Sequence, residues 1–102
     1  MTLYSVYRID RSDGRAAEVR AATRPAHREY MSRFAGRVRC GGPLLDENGD
    51  ACGGLMLIEA DSEAQVREIL ANDPFEIAGL SERIEVLAFR WQTNRPSDMP
   101  PL

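Results

Sequence analysis

The stretch "LMLIEADSEAQVREIL", residues 55–70, contains the change of periodicity that decides the fold. Its first residues are almost continuously apolar, as in a strand that is covered on both faces. A polar segment follows, in which Ser62 and Gln65 stand at the spacing of a helix capping box. The inner face of that helix is predicted to consist of Val66, Ile69 and Leu70. The stretch therefore predicts a strand that leads directly into a helix.

Three further strands are predicted outside this stretch, from β-branched and aromatic residues bounded by turn residues. They are LYSVYRI at 3–9, RVRCGGPLL at 37–45 and ERIEVLAFRW at 82–91. The loop at 46–54 contains Asn48-Gly49, the strongest hairpin signal in the chain. Residues 72–80 interrupt the second helix before the last strand begins.

The first helix is predicted in two parts because of Pro25. Residues 16–23 favour a helix, but a proline pushes the residue before it away from helical backbone angles. We therefore expect a break at Thr23–Arg24 and a new helix that begins with Pro25 and ends at Gly36. Its inner face carries His27, Tyr30, Met31 and Phe34. This places His27, the only histidine, in the first turn.

The resulting order is β-α-β-β-α-β, the pattern of the ferredoxin-like α+β fold. It predicts an antiparallel four-stranded sheet with both helices on one face. We expect a single domain over residues 1–92. Residues 93–102 form a polar, proline-rich tail that is ordered only if another part of the protein holds it.

The last strand is apolar on both faces of this predicted sheet. It places Ile84 and Val86 on one face, and Leu87 and Phe89 on the other. The helices cover only one face, so the second needs another cover. The sequence therefore predicts a homodimer that packs through the open sheet face.

Composition argues against several classes of partner and site. The net charge is −3 and the thirteen basic residues are all arginine, without the basic excess of a nucleic-acid-binding protein. No apolar run reaches the roughly 20 residues of a membrane span, and no secretory signal is visible, so we expect a cytoplasmic protein. Cys40 and Cys52 are too few for a zinc site and are expected to be free thiols. We predict neither a metal nor an organic cofactor.

Several short segments, in order, resemble the YciI family of YCII-related proteins. They are Arg20-x-x-x-Arg24-Pro25-Ala26-His27, Gly36-Arg37, Gly42-Pro43-Leu44, Glu59-Ala60, and Asp73-Pro74-Phe75 with Ala78-Gly79. The resemblance covers about residues 1–91. It implies a dimeric α/β barrel with an active site built around a histidine–aspartate pair. One relative in that family acts as a dehydrochlorinase on a chlorinated hydroquinone, and some members are encoded beside sigma factors.

The resemblance identifies His27 with the family's histidine. For the carboxylate, Asp73 is the first choice, and Asp46 in the hairpin loop is the alternative. In the first turn of a helix the macrodipole disfavours a protonated imidazole, which suits a general base near neutral pH. A carboxylate on the other ring nitrogen would orient the ring. Each residue also has a structural alternative: His27 as a core residue, and Asp73 as an ordinary helix cap.

Other residues are candidates for substrate binding. Arg20 and Arg24 could hold an anionic group through their forked donors. Gly42 and Pro43 set the backbone where a strand passes the predicted pocket, and Ser5 and Tyr7 could reach it from the first strand. Together these features predict an acid–base enzyme for elimination or isomerisation of a small polar or aromatic molecule. A non-catalytic ligand-binding or regulatory module is the alternative, and a solvent-connected pocket at His27 would favour the enzyme.

Overall fold

A computed structural model describes residues 1–99 of the 102, so the last three residues of the predicted tail lie outside the described part. The elements are β1 (Thr2–Asp10), α1 (Ala16–Ser32), β2 (Val38–Leu45), β3 (Ala51–Ala60), α2 (Glu63–Ala71), the short α3 (Pro74–Ile77) and β4 (Ser81–Ala88). The strands form one antiparallel sheet in the order β2-β3-β1-β4. The predicted ferredoxin-like α+β fold is confirmed, with the helices on one face.

The core lies between this sheet and the helices, and it follows the predicted periodicities. Ser62 caps α2 by accepting a hydrogen bond from the backbone N–H of Gln65 at 3.1 Å. The predicted inner face of α2 is buried, and Val66 is fully inaccessible to solvent. It packs with alternate residues of the two central strands, of which Val6 and Ile58 are also fully buried. Strand alternation and helix capping thus act together to orient the apolar faces toward one core.

The predicted break at Thr23–Arg24 is wrong, because Pro25 lies inside the continuous helix α1. Proline removes one backbone hydrogen bond, the one to the carbonyl of Ala21. Ala21 and Pro25 are both exposed, so water can bind this carbonyl. The helix also ends at Ser32, before Gly36.

His27 consequently lies deep in a 17-residue helix and not in its first turn. The effect of a helix dipole falls off within the first and last turns. The dipole argument for a neutral imidazole is therefore wrong, and the chemistry of His27 must be set by its side-chain contacts.

The hairpin between β2 and β3 is tighter than the predicted loop over residues 46–54. Its turn occupies only residues 46–50, because the glycine-containing segment after it already belongs to β3. Gly53 pairs with Ile9 of β1 and with Leu44 of β2. A Cβ atom at Gly53 would collide with the carbonyl oxygen of Arg8, so this close approach of β1 and β3 requires glycine.

The face of the sheet opposite the helices exposes large apolar side chains. Those of Tyr7, Leu55 and Leu87 are 36%, 41% and 66% exposed.

The segment after β4 returns to the β2 edge of the sheet, where the carboxylate of Asp98 forms a salt bridge with the guanidinium of Arg39 at 2.6 Å. None of the helices in residues 1–99 combines the length and the hydropathy of a membrane span.

We expect Gly53→Ala to lower the free energy of unfolding by about 1–3 kcal/mol, because β1 and β3 must separate to admit the methyl group. Gly54→Ala is the matched control, since a Cβ there meets only the carbonyl oxygen of Gly42 at 3.9 Å. Urea denaturation of the two variants measures the difference. Equal stability of the two would contradict this account of the β1–β3 approach.

Candidate active site

A cavity of about 350 Å³ opens on the helix side of the sheet, between α1 and the strands. Its charged and polar lining residues are Arg8, Asp10, Arg20, Arg24, His27, Arg28, Glu76 and Ser81. Apolar side chains, among them Met31, Phe75 and Leu80, line the rest. An apolar cavity with a few convergent polar groups is the usual form of a small-molecule site.

His27 and Asp73 meet at the wall of this cavity, which His27 lines. Nδ1 of the imidazole lies 2.8 Å from Oδ1 of Asp73, whose side chain is completely buried. The same carboxylate caps α3, where Oδ1 also accepts the backbone N–H of Phe75 at 2.9 Å. The two interpretations of Asp73, helix cap and histidine partner, therefore describe one carboxylate that does both.

Arg8 holds the other oxygen of Asp73. Its Nη1 donates to Oδ2 of Asp73 at 2.9 Å and to Oε2 of Glu76 at 2.9 Å. Oε2 of Glu76 also accepts the Ser81 hydroxyl at 2.8 Å. Strand β1 thus places a cation between two carboxylates that belong to the α3 segment.

These contacts keep the Asp73 carboxyl ionised. Burial raises its pKa, but the hydrogen bonds from His27, Arg8 and the Phe75 N–H outweigh burial, and the pKa lies below the ordinary value. An ionised carboxylate can only accept hydrogen bonds, so Nδ1 of His27 must carry the proton. In neutral imidazole Nε2 is then the basic nitrogen, and it has no hydrogen-bond partner among residues 1–99.

The imidazole ring is also fixed by stacking. It lies on the ring of Phe75 with centroids 3.9 Å apart and planes inclined by 14°. The guanidinium of Arg20 lies over the same Phe75 ring, 5.4 Å from its centroid. Arg20 is itself held by a bidentate pair with Asp10, at 2.7 and 2.9 Å, and by the carbonyl of Gly53 at 2.9 Å.

The structure places the other predicted site residues in two groups. Arg20, Arg24, Gly42 and Pro43 line the cavity with His27. Asp46 does not, because its Oδ1 accepts the backbone N–H groups of residues 48 and 50 and so closes the hairpin turn. Asp73, and not Asp46, is the carboxylate within hydrogen-bonding distance of His27.

Ser5 and Tyr7 lie on the opposite face of the sheet, which corrects the expectation that they reach the cavity. The Ser5 hydroxyl donates to the carbonyl of Leu87, and the inward residues of β1 include Val6 and Arg8. Sequence reasoning did not select Arg8. The available signal was a cation at an inward position of a strand, which needs a buried acidic partner.

None of the described residues forms a ready-made metal site: within 1–99, no three His, Cys, Asp or Glu side chains come together as a possible ligand group. The arrangement is instead that of a base with an orienting carboxylate. It can accept and return a proton at Nε2 of His27 while Asp73 stabilises the imidazolium that forms.

We expect Asp73→Asn to lower the free energy of unfolding at pH 7 by about 1.5–3 kcal/mol, the range for hydrogen bonds to charged groups. Because the folded pKa of Asp73 is lowered, its contribution is full above the ordinary value of 3.8 and is lost as the pH falls below it. The difference from the native protein should therefore shrink in acid, as measured by urea denaturation at several pH values. Asp61→Asn, at an exposed aspartate, is the control and should follow the native protein. A difference that is constant with pH would contradict the role of the charge.

Two proteins that are similar in sequence to this chain have names that refer to small-molecule chemistry. The derivative of benzaldehyde biosynthesis cluster protein C from Emericella nidulans is 39% identical over 71 residues, which are 61% of this chain and 72% of that protein. The 5-chloro-2-hydroxyhydroquinone dehydrochlorinase from Burkholderia phenoliruptrix, solved with 2,5-dihydroxybenzoquinone, superposes with a TM-score of 0.75 at 33% identity. The match covers 88% of this chain and 93% of that one.

A more distant structure shares the fold alone. A NIPSNAP family protein from Agrobacterium tumefaciens superposes with a TM-score of 0.58 at 15% identity, over 95% of this chain and 99% of that one. The family model of the YCII-related domain, in contrast, matches residues 2–90. Since that match spans nearly the whole chain, the protein belongs to the YCII-related family, as its Arg-Pro-Ala-His and Asp-Pro-Phe segments indicated.

Proposed function

We propose that this protein is an enzyme that performs acid–base chemistry on a small polar or aromatic molecule, by elimination or isomerisation. His27 is the acid–base group and Asp73 orients it. The observation that carries the proposal is the 2.8 Å contact between Nδ1 of His27 and the buried carboxylate of Asp73, at the wall of an open cavity. This contact leaves Nε2 as the proton acceptor.

The step needs neither a metal nor an organic cofactor. Nε2 of His27 takes a proton from the substrate, and the electron pair of the broken bond forms a new double bond. In an elimination the leaving group departs with its own bonding pair. In an isomerisation the imidazolium returns the proton at another atom of the same substrate. Both routes conserve charge and require no oxidant.

The relatives support a small aromatic substrate. One acts, by its name, on a chlorinated hydroxyhydroquinone, and another by its name belongs to a benzaldehyde-derivative biosynthesis cluster. The apolar lining and the size of the cavity suit such a molecule, because a cavity of roughly 150 Å³ already holds benzene. A non-catalytic binding module would use the same cavity but would not need a histidine with a free basic nitrogen.

We also propose that the protein works as a cytoplasmic homodimer that packs through the open sheet face. Tyr7, Leu55 and Leu87 form an apolar surface there, and the helices leave it uncovered. A face of this kind on a soluble protein commonly marks an interface. The free thiols of Cys40 and Cys52 are consistent with a reducing compartment.

We expect His27→Gln to reduce kcat/KM by about 10²- to 10⁴-fold, the usual contribution of a positioned acid–base group. Chloride release from 5-chloro-2-hydroxyhydroquinone is the first assay. Glu29→Gln on the solvent side of α1 is the matched control and should keep native activity, because among residues 1–99 the Glu29 carboxylate pairs only with Arg33. Binding of the compound without turnover by the native protein would favour the binding module instead.

We expect Leu87→Arg to convert a dimer to a monomer, because it places a charge on the exposed apolar surface of the proposed interface. Sedimentation velocity measures the mass of both species. Ile77→Arg is the matched control, since Ile77 is 71% exposed but belongs to α3 on the helix side. A native protein that is monomeric at high concentration, or a dimer that Leu87→Arg leaves intact, would contradict the proposal.

A further inference from the structure

We propose that Arg8 binds an ionised oxygen of the substrate, through the edge of its guanidinium that the protein leaves free. The inference rests on the proposed acid–base function and adds the substrate class: a flat ring compound with one anionic oxygen conjugated to the reacting atoms. Arg8 becomes a substrate-contacting residue, in addition to its contact with Asp73.

The hydrogen-bond inventory of Arg8 carries this proposal. A guanidinium has five N–H donors, and both contacts of Arg8 to carboxylates use Nη1. Nε and Nη2, with three N–H groups, have no partner among residues 1–99. No side-chain nitrogen or oxygen in that range is both buried and unpaired, so these three donors are accessible. Arg8 lines the cavity and 12% of its side chain is exposed, so a molecule in the cavity is the proposed partner of these donors.

Arg8 is also next to the proposed base. Its Nη1 holds one oxygen of Asp73 while His27 holds the other, so the guanidinium and the imidazole are joined by a single carboxylate. A substrate atom that gives its proton to Nε2 of His27 can place a conjugated oxygen toward Arg8. Of the other arginines that line the cavity, Arg20 is already bound to Asp10 and to the carbonyl of Gly53.

The charges around the cavity indicate how many anionic oxygens fit. Four arginines line it, together with the carboxylates of Asp10 and Glu76. The buried Asp73 behind His27 adds a third negative charge. Four cations against three carboxylates leave an excess of one positive charge, which one ionised oxygen would neutralise.

In the proposed reaction such an oxygen receives negative charge. When His27 takes a proton from a conjugated position, the electron pair moves toward that oxygen. Donors already directed at the oxygen stabilise the charge without rearrangement, as in other oxyanion sites. The imidazolium is neutralised by Asp73 at the same moment. Proton and electron pair both remain within the complex of protein and substrate, and no redox partner is needed.

The test uses 4-nitrophenol, a phenol that ionises near neutral pH and whose phenolate absorbs visible light. The native protein should bind it as the phenolate and lower the pH at which the bound phenol ionises. Arg8→Lys keeps a cation for Asp73 and Glu76 but lacks the free edge. We expect it to bind the phenolate about 10- to 100-fold more weakly, the range for hydrogen bonds to charged groups.

Two controls separate this inference from other effects. Arg39→Lys alters an ion-paired strand arginine outside the cavity, with Glu59 3.5 Å away, and should leave phenolate binding unchanged. Binding of 4-nitroanisole, which cannot ionise, should be equal in the native protein and Arg8→Lys. Native-like phenolate binding by Arg8→Lys, equal losses in Arg8→Lys and Arg39→Lys, or no phenolate binding by the native protein would overturn the proposal. Because binding is measured without turnover, its failure is distinguishable from loss of activity in His27→Gln.

Discussion

The buried carboxylate of Asp73 is the constraint on which both the fold and the site depend. It accepts hydrogen bonds from α1 through His27, from β1 through Arg8, and from the backbone of its own helix through Phe75. A completely buried charge is stable only when its neighbours supply such partners. Three elements distant in the chain must therefore meet at one point for the chain to fold. The cavity is the space left beside that point.

The architecture was predictable because it follows from local signals that agree with one another. Strand alternation, the Ser62 cap and the Asn48-Gly49 turn each predict the observed element without knowledge of its neighbours. Pro25 is where local reasoning was wrong. A proline is unfavourable in an isolated helix. Here α1 continues through Pro25 because tertiary contacts hold the helix before and after it: Arg20 binds Asp10, and His27 binds Asp73. Such tertiary contacts cannot be read from an eight-residue window.

The candidate site was predictable only in part, and the division has a physical origin. His27 and Asp73 could be selected as a pair through the family resemblance, while spacing in the chain said nothing about their distance. Strand periodicity puts Arg8 on the same face as Val6, but a charged side chain does not fit the apolar pattern by which inward residues are recognised. Asp46 is an alternative at the level of sequence because a turn aspartate and a site aspartate have the same sequence context. Only the structure shows that its carboxylate closes the turn.

The stacking of His27 on Phe75 has a stereochemical consequence for the proposed chemistry. With the ring held between a carboxylate and an aromatic face, the imidazole cannot swing across the cavity to reach a substrate from the other side. Any proton that this base removes and later returns must therefore leave and arrive on the same side of a flat molecule. The side of the molecule on which the proton moves would then depend on Phe75, which takes no part in the bond-making.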